Sequence, residues 1–427
     1  MNRPKLLPYS LAVFTFVLPL ILSSDARAQT ETVLYNFTGG SDGLQPQGLT
    51  RDSAGNLYGT TRSTIFELSP IPQGGWNFST IYTFSDPANG SSPSPGFVFD
   101  SHGNLYGATY AGGGSPKCIV SGGCGVIFEL SPSANGWLET VLYSFNGQKD
   151  GLAPLGYLVF DAVGDLYGVT HEGADLSCNI QGAAVGCGTV FELLQTSGGW
   201  KLSVLHTFTG GADGAVPAGG LVMDSAGNLY DTTIFGGNRS GICNLFGCGV
   251  AFRLSRTSSG KWLQDTIHTF TGQDDGEAPE AGLTLDAAGN LYGTTYEGGG
   301  HHRGTAFELS PTSSGIWQWK VLFAFDSVDG TPEEPLTFDS KGNLYSATFI
   351  GGPYGGGVCA PLGCGVAFEL SPNGQGGHWT ETVLYDFTPS GDGWQPTGGV
   401  VIDAAGNLYG TALSSTAGWG NIYEITP

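Results

Sequence analysis

Three short motifs each recur seven times along this 427-residue chain, always in the same order. A Gly-Asn-Leu-Tyr unit, Gly-Asp-Leu-Tyr in its third copy, puts a tyrosine at Tyr58, Tyr106, Tyr167, Tyr230, Tyr292, Tyr345 and Tyr409. Upstream of each stands an aspartate: Asp52, Asp100, Asp161, Asp224, Asp286, Asp339 and Asp403. A unit close to Phe-Glu-Leu ends at Leu68, Leu130, Leu193, Leu254, Leu309, Leu370 and Ile425. A unit close to Thr-Val-Leu-Tyr-x-Phe ends at Phe37, Phe84, Phe145, Phe208, Phe270, Phe325 and Phe387, with spacings of 47 to 63 residues. Self-similarity of this kind marks a repeat architecture, in which one supersecondary unit is copied and its copies bury one another's apolar faces.

One copy shows what the unit is. Gly219-Gly-Leu-Val-Met-Asp224 reads as a short apolar strand, and Asp224-Ser-Ala-Gly-Asn228 as a tight turn in which the aspartate accepts from nearby amides. Leu229-Tyr230 runs into a second strand through Thr232-Thr233, and a long Gly-rich loop leads to a third at Gly249–Leu254. A Gly/Ser turn leads through Trp262 to a fourth strand ending at Phe270. Four strands in meander order, seven times over, predict an all-β, seven-bladed β-propeller of four-stranded antiparallel blades. The chain ends fit closure: residues 31–37 read as a fourth strand with no blade before it, and residues 421–425 as a third strand with nothing after it. Pairing the two removes two free sheet edges together.

Composition agrees and narrows the function. Glycine is 72 residues, charged residues are only 12%, and aromatics are 12%, which excludes helical bundles and disorder alike. The N-terminus carries Arg3 and Lys5, an apolar run from Leu6 to Leu22, and Ala26-Arg27-Ala28, the pattern of a secretory signal peptide over 1–28, with the propeller over 29–427. Thirty-seven acidic against fifteen basic residues argue against nucleic acid and anionic membranes as partners. No membrane insertion is expected after the leader, and a secreted or periplasmic monomer is the expected product.

The repeats resemble the GloVer-type tandem repeats of exported bacterial proteins. The resemblance rests on Gly-Asn-Leu-Tyr-Gly-Thr-Thr, Gly-Gly, Gly-Thr-Val-Phe-Glu-Leu, Val-Leu-Tyr-x-Phe and Asp-Gly-x-x-Pro, and covers essentially all of residues 31–427. It implies export and a repeat fold, and brings no reaction and no catalytic residues.

A meander sorts its connections. The Asp-x-x-Gly-Asn turns and the third-to-fourth turns fall on one face of the ring; the long second-to-third loops and the Asp-Gly-x-x-Pro links between blades fall on the other, the loop face. Cys118 with Cys124, Cys178 with Cys187, Cys243 with Cys248, and Cys359 with Cys364 each lie in one second-to-third loop. Local pairs in an exported chain read as disulfides; variable spacing and the lack of a partnering His pair argue against zinc.

Candidate site residues lie on the same face. Asp42, Asp150, Asp213, Asp275, Asp329 and Asp392 precede glycine in six links and would form an acidic collar for Ca²⁺ or sugar hydroxyls, or else simply turn the chain. Blade 5 carries His301-His302-Arg303 where four blades carry cysteines, and Glu277, Glu280, Glu333 and Glu334 precede the inner strands of blades 5 and 6. Carboxylates with imidazoles suit metal binding or acid/base work on a glycan, against a bland alternative of solvated loop. His171-Glu172 is a similar, lone pair. Trp76, Trp137, Trp200, Trp262 and Trp379 recur at the start of the fourth strand and read as packing between blades, whereas Trp394 and Trp419 break that pattern and are candidates to stack on a sugar. The inner strands carry one charge, Arg51, which speaks against a hydrolase. The expected function is therefore a binding or interaction module, with carbohydrate the leading ligand and another extracellular protein the next. No cofactor beyond Ca²⁺ is suggested. The alternatives are a carbohydrate-active or lactone-hydrolysing enzyme using the Glu/His cluster, and a structural surface protein without a small ligand.

Overall fold

A computed structural model describes residues 29–115, 118, 122–178, 185–353, 359–374, 377, 379–389, 393–416 and 418–426. The expected leader and the link residue Asp392 lie outside the described residues. The strands form seven antiparallel sheets, each a meander with its first strand innermost. Blade 1, for example, runs Gln47–Arg51, Leu57–Thr60, Thr64–Pro70 and Trp76–Thr83 from axis to rim. Blade 7 takes Trp394–Ile402, Leu408–Ser414 and Asn421–Thr426 from the C-terminus, and its outer strand, Thr30–Asn36, from the N-terminus. Thr30 lies opposite Thr426 and Asn36 opposite Asn421, so both chain ends are locked into one sheet and the ring closes.

The repeated motifs are the inter-blade joints. The phenylalanine ending each outer strand meets the third-strand aromatic of the next blade edge to face. Phe145 on Phe191, Phe208 on Phe252 and Phe270 on Phe307 have ring centroids 5.3, 5.1 and 5.3 Å apart. In blade 7, Tyr423 takes the phenylalanine's place against Phe387, at 4.9 Å. Each such pair contributes roughly 0.5–1.5 kcal/mol beyond its buried area. A second joint joins the Gly-Asn-Leu-Tyr tyrosine to the outer-strand tryptophan of the following blade: Tyr58 to Trp137, Tyr106 to Trp200, Tyr167 to Trp262, Tyr292 to Trp379 and Tyr409 to Trp76. The expected packing role of these tryptophans is what the structure shows, and Trp317 against Tyr230 completes the set. The seventh tyrosine, Tyr345, faces a blade whose outer strand is the N-terminal segment, which has no tryptophan at that end.

The aspartate turns satisfy themselves. Asp52 Oδ1 accepts from the amides of Ala54 and Asn56, both at 2.9 Å, while its Oδ2 accepts from Asn56 Nδ2 at 2.8 Å. Near the axis the inner strands crowd. A Cβ on Gly398, whose φ is +78°, would sit 2.0 Å from the Cα of Gly48, so blades 7 and 1 meet there backbone to backbone. Blade 3 departs from this pattern by placing Tyr157 where five blades have glycine, and its ring lies flat over Gly96 of blade 2.

Candidate functional site at the loop-face mouth of the channel

Each long second-to-third loop docks on the link that leaves its own blade. Four disulfides staple these loops as expected, with Cα–Cα distances of 5.3, 5.7, 5.1 and 5.0 Å. A Cβ on Gly147 would lie 2.5 Å from Cys118 Sγ, and one on Gly210 would lie 2.7 Å from Cys178 Sγ, so the cystines rest on link glycines. Trp419 does the same work in blade 7, where a Cβ on Gly39 would lie 2.6 Å from its indole. Its carbonyl accepts from the amide of Gln45, so Trp419 fastens the closing blade to the first link while remaining 43% exposed. Trp394 begins an inner strand and packs against the blade 6–7 core with Phe387 and Cys359. In blade 5 the field of His301 reaches Asp326 of the outgoing link. His302, at φ +57°, turns the same loop.

The link aspartates sit at the periphery, bonded to outer strands. Asp42 accepts from the Thr38 amide at 2.7 Å and from the Tyr35 hydroxyl at 3.0 Å; Asp150 accepts from the Asn146 amide and from Tyr143 at 3.0 Å each. Asp213 and Asp275 pair with His206 and His268, both at 3.2 Å, and accept from the amides of Thr209 and Thr271. Asp329 lies against Asp326 and Glu381, and burial raises its carboxyl. Among the described residues, no three acidic, His or Cys side chains converge in a form that could hold a metal ion. A peripheral recess of about 690 Å³ lies beside Asn146, Lys149, Asp175 and Val204, away from the axis and from the glutamates below.

The axis gathers the titratable groups. Glu280 and Glu333 follow the proline of their links, and Glu334 follows Glu333, so all three stand at the upper ends of inner strands. Burial pushes Glu333 up to about 7, with Glu280 adding repulsion. Burial pushes Glu334 up to about 8 against the opposing amide of Gly398, and Glu333 and Glu280 raise it further. Burial also raises Glu280, while His171 opposes. His171 belongs to blade 3 and Glu280 to blade 5, which are not neighbours, so a field between them requires both side chains to lean over the channel. The same argument holds for Tyr157 of blade 3, whose hydroxyl burial and Glu334 of blade 6 both raise. Glu334 keeps part of its surface open to the channel while sitting among protein atoms on every other side.

Second-strand ends complete the wall. The position occupied by His171 holds Tyr110 in blade 2 and Tyr296 in blade 5. Burial and Glu172 raise Tyr110; burial, Glu333, Glu297 and Glu280 raise Tyr296, and Arg303 opposes. Glu277 pairs through its backbone with Glu297, which adds to the effect of burial in raising its carboxyl. Of the sequence candidates, the structure brings together Glu280, Glu333 and Glu334, and the imidazole it adds to them is His171. Tyr110, Tyr157, Tyr296 and Glu297 belong to the same mouth and were missed. Aligning the repeats column by column, and comparing the residues at these two register positions, would have found them.

Chemically, the mouth is a lined cup: carboxyls that carry protons near neutrality, one imidazole, and tyrosine rings. Such groups both donate and accept hydrogen bonds and offer aromatic faces. On the opposite face the axis opens into a separate cavity of about 350 Å³, lined by Arg51, Phe97, Tyr157 and Thr337 among others.

No curated protein matches this sequence. In three dimensions the chain is similar to a streptogramin B lyase, with a TM-score of 0.52 at 13% identity over 93% of this chain and 97% of that one. It is also similar to virginiamycin B lyase from Staphylococcus aureus, with a TM-score of 0.51 at 14% identity over 93% of this chain and 99% of that one. At such identities the likeness shows the shared fold. Residues 20–177, 62–257 and 176–362 match the Gloeobacter/Verrucomicrobia repeat, and the chain belongs to that repeat family.

Proposed function

We propose that the protein is an exported binding module that takes carbohydrate at the loop-face mouth of its channel. The observation that carries this reading is the meeting of Glu280, Glu333 and Glu334 with His171 and Tyr157 across the axis, beside the rings of Tyr110 and Tyr296. Sugar hydroxyls need partners that donate and accept in turn, and a carboxyl that carries its proton near neutrality does both. Aromatic faces bind the apolar faces of pyranose rings. Four cystines support an oxidising compartment, secreted or periplasmic, and no helix among the described residues is long and apolar enough to cross a membrane. A protein partner docking on the same face is the alternative ligand of this module.

A second reading, acid/base chemistry on a bound sugar, is favoured by one observation. Glu333 is poised near 7 beside Glu280, whose neighbour is an imidazole, and such pairs serve as acid and base. A glycan-array screen with and without chelator tests the first reading, with E333Q/E334Q as the control. Binding that survives chelation and is lost in the variant is expected; an array without a single binder would refute carbohydrate. Release of shortened sugars from a bound glycan would move the assignment to the enzyme.

A further inference from the structure

We infer that the sugar recognised at this mouth carries free amino groups, as in an oligomer of glucosamine, rather than hydroxyls or acetamides alone. The inference rests on the carbohydrate reading above and names its ligand class.

Three independent features lead there. The first is charge. Glu172, Glu280, Glu297, Glu333 and Glu334 act on one another or on shared tyrosines, and the positive groups that reach them are His171 and Arg303. In a chain of net charge −22, the deficit is not supplied from elsewhere. A neutral sugar would leave these carboxyls crowding one another; an ammonium compensates them and supplies three donors.

The second is aromatic. Tyr110 and Tyr296 hold equivalent positions on blades 2 and 5, with Tyr157 projecting from blade 3 beneath them. Phenol rings around carboxylates suit a cation, which is attracted to the ring faces as well as to the charges.

The third is polar atoms left without partners. The Tyr423 hydroxyl is fully buried, makes no hydrogen bond and lies within reach of Glu334. His171 Nδ1 is likewise enclosed without a hydrogen bond. Buried polar atoms are ordinarily satisfied, so an unsatisfied pair beside one opening marks a place where a ligand or water completes the set. An acetamide would bring one N–H, a carbonyl and a methyl group to a wall that needs donors.

Binding then moves protons in a defined direction. Ammonium–carboxylate pairs favour the ionised carboxylates, so protons leave Glu333 and Glu334 for solvent as the charged amines arrive.

The test is isothermal titration of the protein at pH 6 with three hexamers, of glucosamine, of N-acetylglucosamine and of glucose. Two buffers of different ionisation enthalpy report the protons released. The glucosamine hexamer is expected to bind at least tenfold more tightly than the others, with proton release and with affinity falling as salt rises. E333Q/E334Q should abolish the preference, and H171Q, which removes a competing cation, should strengthen it. Equal or tighter binding of the N-acetylated or glucose hexamer would overturn the amine inference and leave the carbohydrate reading standing. So would a preference that persists in E333Q/E334Q. No binding of any hexamer would overturn both.

Discussion

Replacing Asp231 with asparagine should change how the stability of this protein depends on pH. Asp231 stands in the second strand of blade 4, where Gly59, Gly107, Gly168, Gly293 and Gly410 stand in five other blades and Ser346 in the sixth. Its carboxyl is fully buried against the blade 3–4 core, and neither oxygen makes a hydrogen bond. The amides of Thr232 and Gly220 lie near enough to favour the charged form slightly, but burial dominates and lifts the carboxyl from 3.8 to about 8. The sign follows. Below 3.8 both folded and unfolded chains hold the proton. Between 3.8 and about 8 the unfolded chain releases it and the folded chain does not, so stability falls as pH rises; above 8 the loss is complete. At about 1.4 kcal/mol per pH unit, the accumulated cost at pH 7 is about 4 kcal/mol. The amide of Asp231→Asn keeps the volume and cannot titrate, so the variant's stability relative to the native protein should climb by about 1.4 kcal/mol per unit between pH 5 and 7.5. Urea unfolding of both proteins at four pH values measures that slope, and any constant cost of burying the amide cancels from it. A stability difference independent of pH would refute the reasoning.

Other consequences follow from the joints and staples. Trp419→Ala should destabilise the closing blade by roughly 1–3 kcal/mol, less than a fully buried tryptophan because part of the ring is exposed, and should hasten proteolysis near residue 37. Replacing Cys243 and Cys248 by serine should cost about 2 kcal/mol by the loop-entropy relation, seen as a lower melting temperature with the circular dichroism of the β-sheets unchanged. Removing residues 29–37 exposes the edge of Asn421–Thr426 and should convert a single unfolding transition into a broad one with oligomers on gel filtration. His268→Ala should make the protein more acid-sensitive, because the imidazole helps hold Asp275 below its ordinary range, and stability tied to a lowered carboxyl is lost as pH falls; chemical unfolding at pH 4 and pH 7 reads the difference.

What could be read from the residues and what could not divide along a physical line. Asp52, Asn56 and Tyr58 form a turn whose partners lie within six residues, so each copy declares itself locally, and seven copies declare a ring. The disulfides are equally local, each spanning 5 to 9 residues. The link aspartates were legible as turn formers for the same reason: Asp42 and Thr38 are four residues apart. The mouth was only half legible. Glu333 and Glu334 stood out as departures from the repeat, but their partners do not lie in adjacent blades. His171 reaches Glu280 because the ring brings residues 109 positions apart over one axis, a distance set by closure and not by any motif. His301 and His302 attracted notice by composition, yet their loop carries the docking role that cystines and Trp419 fill elsewhere, and His301 acts on Asp326 at the rim. Trp419 drew attention for its exposure, while the indole face that matters rests on Gly39.

The convergence of blades 3, 5 and 6 over the axis can be measured without knowing any ligand. Carbon-13 labelling of the glutamate carboxyls and a pH titration followed by NMR would report each group directly. Two resonances that titrate near 7 and 8, and disappear in E333Q/E334Q, are the result expected from Glu333 and Glu334 crowded above the channel. A titration in which every glutamate carboxyl ionises below about pH 5, as isolated solvated side chains do, would contradict the site and the functions built on it.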